Sequence, residues 1–358
     1  MRREPAYLKI YMDIREQIVK GIYPEGKKLP SKRLMAAELG VSIITVEHAY
    51  SLLCEEGYTE SRERSGYFVA FKREDGFARP MQKKEYLYPA VIERKEEVDT
   101  IFPFSVLAKT MRSILTNLEE NIFLTSPGKG TWELREAIRK YLARSRGITA
   151  DIEQIIIGSG SEYLYRMIVD LMGREKIYGI EFPSYKKIEQ VYRAAGVTIE
   201  KIPLRKDGLD SSALSKSKAQ ILHISPYRSF PTGVTASASK RYEYIRWADE
   251  EGRILLEDDF ESEFSVSKKR EETIYSLSSK ENVIYMNTFS KTVDSSMRVG
   301  YMILPKYLLE RYEKSLGFYS CTVPTYIQFV LAQLIENGDF ERHINRVRRK
   351  KRKTAGQI

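Results

Sequence analysis

The stretch that decides the N-terminal fold is GIYPEGKKLPSKRLMAAELGVS, residues 21–42. Ser31 is a favourable N-cap for a helix that Gly40 would end, and Ser42 is a favourable N-cap for the next helix. Two helices joined by so short a turn are typical of a helix-turn-helix. The segment therefore predicts that pair of helices, with Ser42 at the start of the second.

The residues on either side complete a small domain. Apolar side chains recur at helical spacing before and after the quoted segment, at Tyr7, Ile10, Tyr11, Ile14 and Ile18 and at Val46, Ala49, Tyr50 and Leu53. Residues 58–61 and 67–71 then predict two short strands around the polar turn 62–66. Three helices followed by a hairpin form a winged helix-turn-helix, which we place at residues 1–71.

Candidate DNA contacts lie on the third helix, at the start of the second helix and on the hairpin. In this fold the third helix enters the major groove. Hydroxyl side chains suit phosphate and base-edge contacts, and cations at a helix N-terminus suit phosphate. The predicted DNA-binding residues are Ser31, Lys32, Arg33, Ser42, Thr45, His48, Arg62, Arg64 and Gly66. The alternative is a winged helix that binds another protein.

Residues 7–70 resemble the N-terminal domain of GntR-type regulators. The resemblance runs through residues 21–42 and continues at Thr45-Val46, Ala49-Tyr50, Leu53, Glu56-Gly57 and Gly66-Tyr67-Phe68-Val69. It implies double-stranded operator DNA as a partner. One position departs from the family pattern, because Ile43 stands where an arginine often follows Val-Ser. Base recognition by that arginine is therefore not expected here.

Length and composition exclude several classes of protein. The chain has 358 residues, a formal net charge of +10 and two cysteines, Cys54 and Cys321. This length suits about two domains, and the cysteines indicate neither a disulfide framework nor a zinc site. Neither a signal peptide nor an apolar run of membrane-spanning length is evident, so we expect a cytoplasmic protein without membrane contact. Residues 342–358 contain eight basic residues and no acidic one, so net charge says little about DNA binding by the folded body.

The pattern changes after the first domain. Residues 72–98 are charged, contain Pro80 and Pro89 and lack periodicity, which predicts a linker. Apolar strand-like runs then alternate with amphipathic helical ones, at 155–157, 177–180, 219–224, 254–256 and 283–286 for the strands. This alternation predicts an α/β domain over residues 99–358 with a largely parallel sheet.

Four polar segments follow predicted strands and together fit one ligand. Residues 158–161, Gly-Ser-Gly-Ser, open a helix and offer N–H groups to a phosphate, although alone such a turn is more often only a turn. Asp258 lies at the carboxyl end of a strand, where α/β proteins bind ligands. Lys291 can form a Schiff base, and Arg298 can bind a phosphate. Tyr185 can stack on a flat ring.

With the winged helix ahead of them, these segments resemble the MocR subgroup of GntR regulators, which carry a fold-type I aminotransferase-like domain. The likeness extends to about residue 350 and includes residues 230–233, Phe-Pro-Thr-Gly. It implies pyridoxal 5'-phosphate as cofactor, attached to Lys291, with Asp258 paired to its ring nitrogen and Tyr185 stacked on its ring. The phosphate ligands that it implies are Ser159, Gly160, Ser161, Thr288 and Arg298.

The chain also departs from that family pattern. Phe260 replaces a tyrosine that donates to the phenolic oxygen, Thr125 stands where a tyrosine usually reaches the partner's phosphate, and Arg228-Ser229 replaces His-Gln. The family continues with a C-terminal lobe whose arginine binds the carboxylate of an amino acid, and this chain stops where that lobe would begin. We therefore expect no transaminase turnover.

These observations favour a homodimeric DNA-binding regulator that binds pyridoxal phosphate, with an amino acid as candidate effector. Two alternatives stay open. One is a working aminotransferase with an accessory DNA-binding module, and the other is a regulator whose large domain no longer binds the cofactor.

Overall fold

The computed structural model describes residues 5–72, 102–259, 262–265 and 272–355. The chain divides into two compact units, Met1–Arg94 and Lys95–Ile358. The predicted linker lies almost wholly outside the described residues, and so does Phe260.

Three helices and a hairpin form the N-terminal unit. The elements are α1 (Ala6–Val19), α2 (Lys32–Leu39), α3 (Ile43–Glu55), β1 (Thr59–Arg62) and β2 (Gly66–Val69). Ser31 and Ser42 are the N-caps, and their side chains accept hydrogen bonds from the backbone N–H groups of Leu34 and Thr45. Gly40 ends α2 with φ 64°, a left-handed conformation that glycine adopts without strain. The winged helix-turn-helix fold is thereby confirmed.

The core of this unit is built around α3. Four side chains of α3 are fully buried, at Val46, Ala49, Tyr50 and Leu53. They cluster with the apolar face of α1, which includes Ile10, Ile14 and Ile18. Because the buried residues occupy one face of α3, its opposite face is left to solvent.

The second unit has an α/β architecture. Its helices are α4 (Phe104–Leu118), α5 (Trp132–Arg146), α6 (Ser161–Met172), α7 (Lys186–Ala194), α8 (Ser211–Ser215), α9 (Ala238–Glu250), α10 (Ile274–Leu277), α11 (Leu309–Leu316), α12 (Thr325–Glu336) and α13 (Asp339–Ala355). Its strands are β3 (Ile155–Gly158), β4 (Ile177–Phe182), β5 (Thr198–Arg205), β6 (Gly208–Leu209), β7 (Ile221–Ile224), β8 (Ile254–Asp258), β9 (Val283–Thr288) and β10 (Gly300–Ile303).

One sheet contains all eight of these strands, in the order β3-β10-β9-β8-β7-β4-β5-β6. Strands β9, β8, β7, β4 and β5 pair in parallel. Strand β10 is antiparallel to both β9 and β3, so β3 has the same direction as β9. The carboxyl ends of β3, β4, β8 and β9 therefore lie along one edge. The predicted α/β class is confirmed.

Helices cover both faces of the sheet. Ile155 and Ile157 belong to a core formed with α5 and α12, whereas Ile156 belongs to a core formed with α6 and α11. Burial on both faces explains why these strands are continuous apolar runs. Strand β5 was not predicted because its sequence, TIEKIPLR, mixes charged and apolar residues. None of the described helices is long and apolar enough to cross a membrane.

Candidate functional site

The exposed face of α3 carries three of the predicted DNA-binding residues at or near its start. Ser42 and Thr45 share a hydrogen bond between their hydroxyl oxygens, which are 2.7 Å apart. The ring of His48 is exposed but stacks on Tyr7 of α1, with ring centroids 4.2 Å apart. Ile44 is 77% exposed. The surface of this helix therefore combines hydroxyl, aromatic and apolar groups.

The two cations at the start of α2 have different surroundings. The Lys32 ammonium lies 2.5 Å from a carboxylate oxygen of Glu47 on α3. This hydrogen bond raises the pKa of Lys32 and keeps the side chain charged. Arg33 is exposed and has no ion-pair partner among the described residues. Of the two predicted phosphate-binding cations, Arg33 is therefore the one whose charge is not already balanced.

On the hairpin, Arg62 pairs with Glu60 and lies 4.4 Å from the centroid of the Phe68 ring. Arg64 is exposed at the tip and has φ 58°. Gly66 has φ 106°, a conformation in which a side chain would be strained. The hairpin thus presents a turn whose shape depends on Gly66.

A cavity of about 390 Å³ lies at the carboxyl edge of the second unit's sheet. Its lining includes six of the predicted cofactor residues, namely Ser161, Tyr185, Asp258, Thr288, Lys291 and Arg298. These residues are distant in sequence, and the strand directions bring them to one place. Ser159 and Gly160 lie in the turn before α6 and are not among the lining residues. A Cβ built on Gly160 would lie 3.5 Å from Cζ of Arg298, so this turn adjoins the arginine.

Asp258 forms the buried end of the pocket. The Tyr165 hydroxyl donates to one carboxylate oxygen of Asp258 at 2.6 Å, and Nε2 of His223 lies 3.5 Å from the same oxygen. Burial, and then the charge of Asp258, raise the pKa of Tyr165, so Tyr165 remains a donor. The other carboxylate oxygen has no hydrogen-bond partner among the described residues. A protonated ring nitrogen would satisfy it.

An acidic side chain also lines the pocket, beside Arg298. Glu162 accepts from Arg298 at 3.0 Å and also forms an ion pair with Lys187. The hydrogen bonds from Lys187 and Arg298 lower the pKa of Glu162. The charge of Arg298, predicted to bind phosphate, is therefore already balanced by a carboxylate. Sequence reasoning missed this because Glu162 and Arg298 are far apart in the chain.

The side of the pocket is aromatic. Tyr185 and Phe230 form an edge-to-face pair with centroids 6.0 Å apart, and both line the cavity. Beneath them Glu181 is buried, and the Ser229 hydroxyl donates to it at 2.5 Å. Burial raises the pKa of Glu181 to about 7. Tyr165 and Glu181 were not predicted as site residues, because buried residues on a helix or strand resemble ordinary core in sequence. Phe230, which lies in a turn, was noted only as part of the family pattern.

The donor set fits pyridoxal phosphate. A lysine, a buried carboxylate with an open oxygen, an aromatic ring and an arginine beside a glycine turn all adjoin one cavity. Arg298 is the only arginine among the described residues that line it.

Two family models match the chain. The model "Bacterial regulatory proteins, gntR family" matches residues 6–69, and "Aminotransferase class I and II" matches residues 96–355. Among curated proteins, the Bacillus subtilis HTH-type transcriptional regulator YdeL is 32% identical over 98% of this chain and 77% of its own length. The probable rhizopine catabolism regulatory protein MocR of Rhizobium meliloti is 27% identical over 96% of this chain and 74% of its own.

Solved structures similar to this chain include aminotransferases. An archaeal alanine:glyoxylate aminotransferase matches 68% of this chain with a TM-score of 0.63 and 21% identity, and the alpha-aminoadipate aminotransferase LysN of Thermus thermophilus matches 71% with a TM-score of 0.62 and 24% identity. The chain spans 62% and 66% of their lengths. At this identity they show the fold alone. From the two family matches and the curated relatives, the chain belongs to the MocR-type regulators of the gntR family, in which an aminotransferase-like domain follows the helix-turn-helix domain.

Proposed function

We propose that this chain is a transcription regulator that binds operator DNA through residues 1–71 and pyridoxal phosphate through residues 99–358, with 72–98 as linker. The cofactor assignment rests on one observation: the same cavity is lined by Lys291, Asp258, Tyr185 and Arg298. The gntR-family match supports the DNA-binding assignment. A protein that acts on DNA would work in the cytoplasm of a bacterium.

Each pocket residue has a definite task in this proposal. When bound, the cofactor supplies an aldehyde that reacts with amines and a ring that accepts electrons. Lys291 would hold it covalently, and Asp258, fixed by Tyr165, would keep a proton on the ring nitrogen. Tyr185 would cover the ring. Ser161, Thr288 and Arg298, with the turn at Ser159 and Gly160, would hold the phosphate.

We assign the second unit a sensing role without turnover. The curated relatives are named as regulators. An amino-acid substrate needs a cation that orients its carboxylate. If Arg298 holds the phosphate, none of the described lining residues supplies a second arginine for that purpose, and Lys187, the remaining lining cation beside Lys291, is paired with Glu162. An amino acid would then act as an effector, and an assay with amino acids and keto acids should show no transamination above background.

An exposed apolar surface supports a homodimer. Phe123, Leu124, Phe318 and Tyr319 are 81%, 63%, 74% and 55% exposed. Leu124 lies beside the start of α12, because its backbone carbonyl accepts from the Thr325 hydroxyl at 2.6 Å, and Phe318 and Tyr319 precede that helix in the chain. Large apolar side chains exposed in this way are typical of an interface. Two DNA-binding units would then bind half-sites about one helical turn, or a multiple of it, apart. Sedimentation equilibrium should give the mass of two chains.

The DNA-binding assignment is tested with duplexes selected in vitro by the full chain. Arg33→Ala should weaken binding to all sequences and reduce the salt slope by about one phosphate contact. Lys20→Ala is the matched control, because it removes the same charge from the C-cap of α1, where Lys20 pairs with Glu16. Equal affinity and slope for Arg33→Ala and the wild type would remove Arg33 from the phosphate contacts.

A further inference from the structure

Helix α3 lacks the side chains most used to recognise bases. Its sequence, IITVEHAYSLLCE, contains neither arginine nor lysine. The commonest specific contact in the major groove, a bidentate arginine or lysine on guanine, therefore cannot come from this helix.

The first turn of α3 is instead apolar and exposed. Ile44 is 77% exposed and Ile43 is 44% exposed, and both follow the N-cap Ser42. In a helix-turn-helix, the N-terminal residues of the second helix contact base edges. The polar groups nearby are engaged within the domain, since Glu47 pairs with Lys32 and His48 stacks on Tyr7.

Exposure alone does not define such a contact. Ile22 is 57% exposed in the same unit. Ile22 lies four residues before Gly26, whose backbone N–H donates to the carbonyl of Val69. Val69 pairs with Thr59 at the end of the hairpin opposite its tip. What distinguishes Ile43 and Ile44 is their place at the start of the helix that enters the groove.

Resting on the proposed DNA binding, we propose that Ile43 and Ile44 recognise the 5-methyl groups of thymines in each operator half-site. The thymine methyl is the apolar group that bases present in the major groove, and its contact with an isoleucine removes apolar surface of both from water. Ile44, the more exposed side chain, makes the larger contribution. The chain thus selects A·T pairs at the positions that face the first turn of α3, and no arginine or lysine of that helix contacts a base.

The test compares duplexes that differ by one methyl group. A duplex selected in vitro by the full chain is bound again with each thymine replaced in turn by 2′-deoxyuridine, which keeps base pairing and removes only the methyl. At one or two positions per half-site, affinity should fall about 4-fold, the change expected for one buried apolar carbon. Ile44→Ala should bind the thymine and deoxyuridine duplexes equally at its position. Ile22→Ala is the matched control and should discriminate as the wild type does.

Each result is decisive. Sequence-specific binding with equal affinity for thymine and deoxyuridine at every position would overturn the methyl contact and leave the proposed function intact. Discrimination that persists in both Ile43→Ala and Ile44→Ala would assign the methyl contact to another residue and overturn the proposal. Failure to bind any duplex above nonspecific level would instead contradict the proposed function.

Discussion

The start of α2 and the part of the pocket around Arg298 both contain cations predicted to bind phosphate, but these cations differ in their ion pairs with carboxylates. At α2, Glu47 pairs with Lys32 but leaves Arg33 without a partner among the described residues. In the pocket, Glu162 pairs with both Arg298 and Lys187. The start of α2 therefore keeps one cation, Arg33, available for a phosphate. In the pocket, the carboxylate of Glu162 engages both Arg298 and Lys187.

The difference indicates which site must rearrange to bind phosphate. The side chains of Glu162 and Arg298 are 32% and 52% exposed, and ion pairs this exposed contribute about 0–1 kcal/mol. A phosphate dianion can therefore displace Glu162 at small cost, but the carboxylate stays nearby and repels it. At α2 the guanidinium of Arg33, which is unpaired among the described residues, needs no such exchange.

The largest expected effect is the loss of the pocket arginine. Arg298→Asn should weaken binding of pyridoxal phosphate about 10- to 100-fold, because it removes a charge-assisted contact. Asparagine is chosen because Arg298 has φ 52°, and asparagine tolerates that left-handed conformation. Absorbance titration measures the dissociation constant. An unchanged constant would show that Lys187 or backbone N–H groups, and not Arg298, hold the phosphate.

Removing the competing carboxylate should act in the opposite direction. Glu162→Gln should strengthen pyridoxal phosphate binding roughly 3- to 10-fold, since it removes repulsion and releases both cations. Glu189→Gln is the matched control, because Glu189 also pairs with two cations, Arg193 and Lys201, but does not line the pocket. Weaker binding by Glu162→Gln than by Glu189→Gln would mean that Glu162 organises the site rather than competing for it.

The smallest effect is expected at the DNA-binding surface. Glu47→Gln should strengthen DNA binding about 2- to 3-fold at low salt and make the salt slope steeper by about 0.9, because Lys32 becomes available to a phosphate. The control Glu16→Gln changes the charge of α1 equally. If the two variants have the same slope, Lys32 contacts no phosphate even when it is released.

Local features of the fold could be predicted from the sequence, whereas the ion pairs between distant residues could not. The elements of the first unit follow from local signals, since Ser31, Gly40 and Ser42 act within a few residues of their own positions. Six of the pocket residues were predictable because they lie at or beyond the carboxyl ends of β3, β4, β8 and β9. The partners of the cations were not predictable, because Glu162 and Arg298 are separated by 136 residues and meet only when β3 and β10 pair.

The proposed attachment of the cofactor to Lys291 can be measured directly. The full chain is incubated with pyridoxal phosphate, reduced with borohydride and mapped by peptide mass spectrometry, alongside Lys291→Ala and the control Lys186→Ala, whose lysine adjoins the pocket lining without belonging to it. We predict the label on Lys291 in the wild type and in Lys186→Ala, and the loss of both label and cofactor absorbance in Lys291→Ala. A label on another lysine, or none in the wild type, would show that Lys291 does not hold the cofactor.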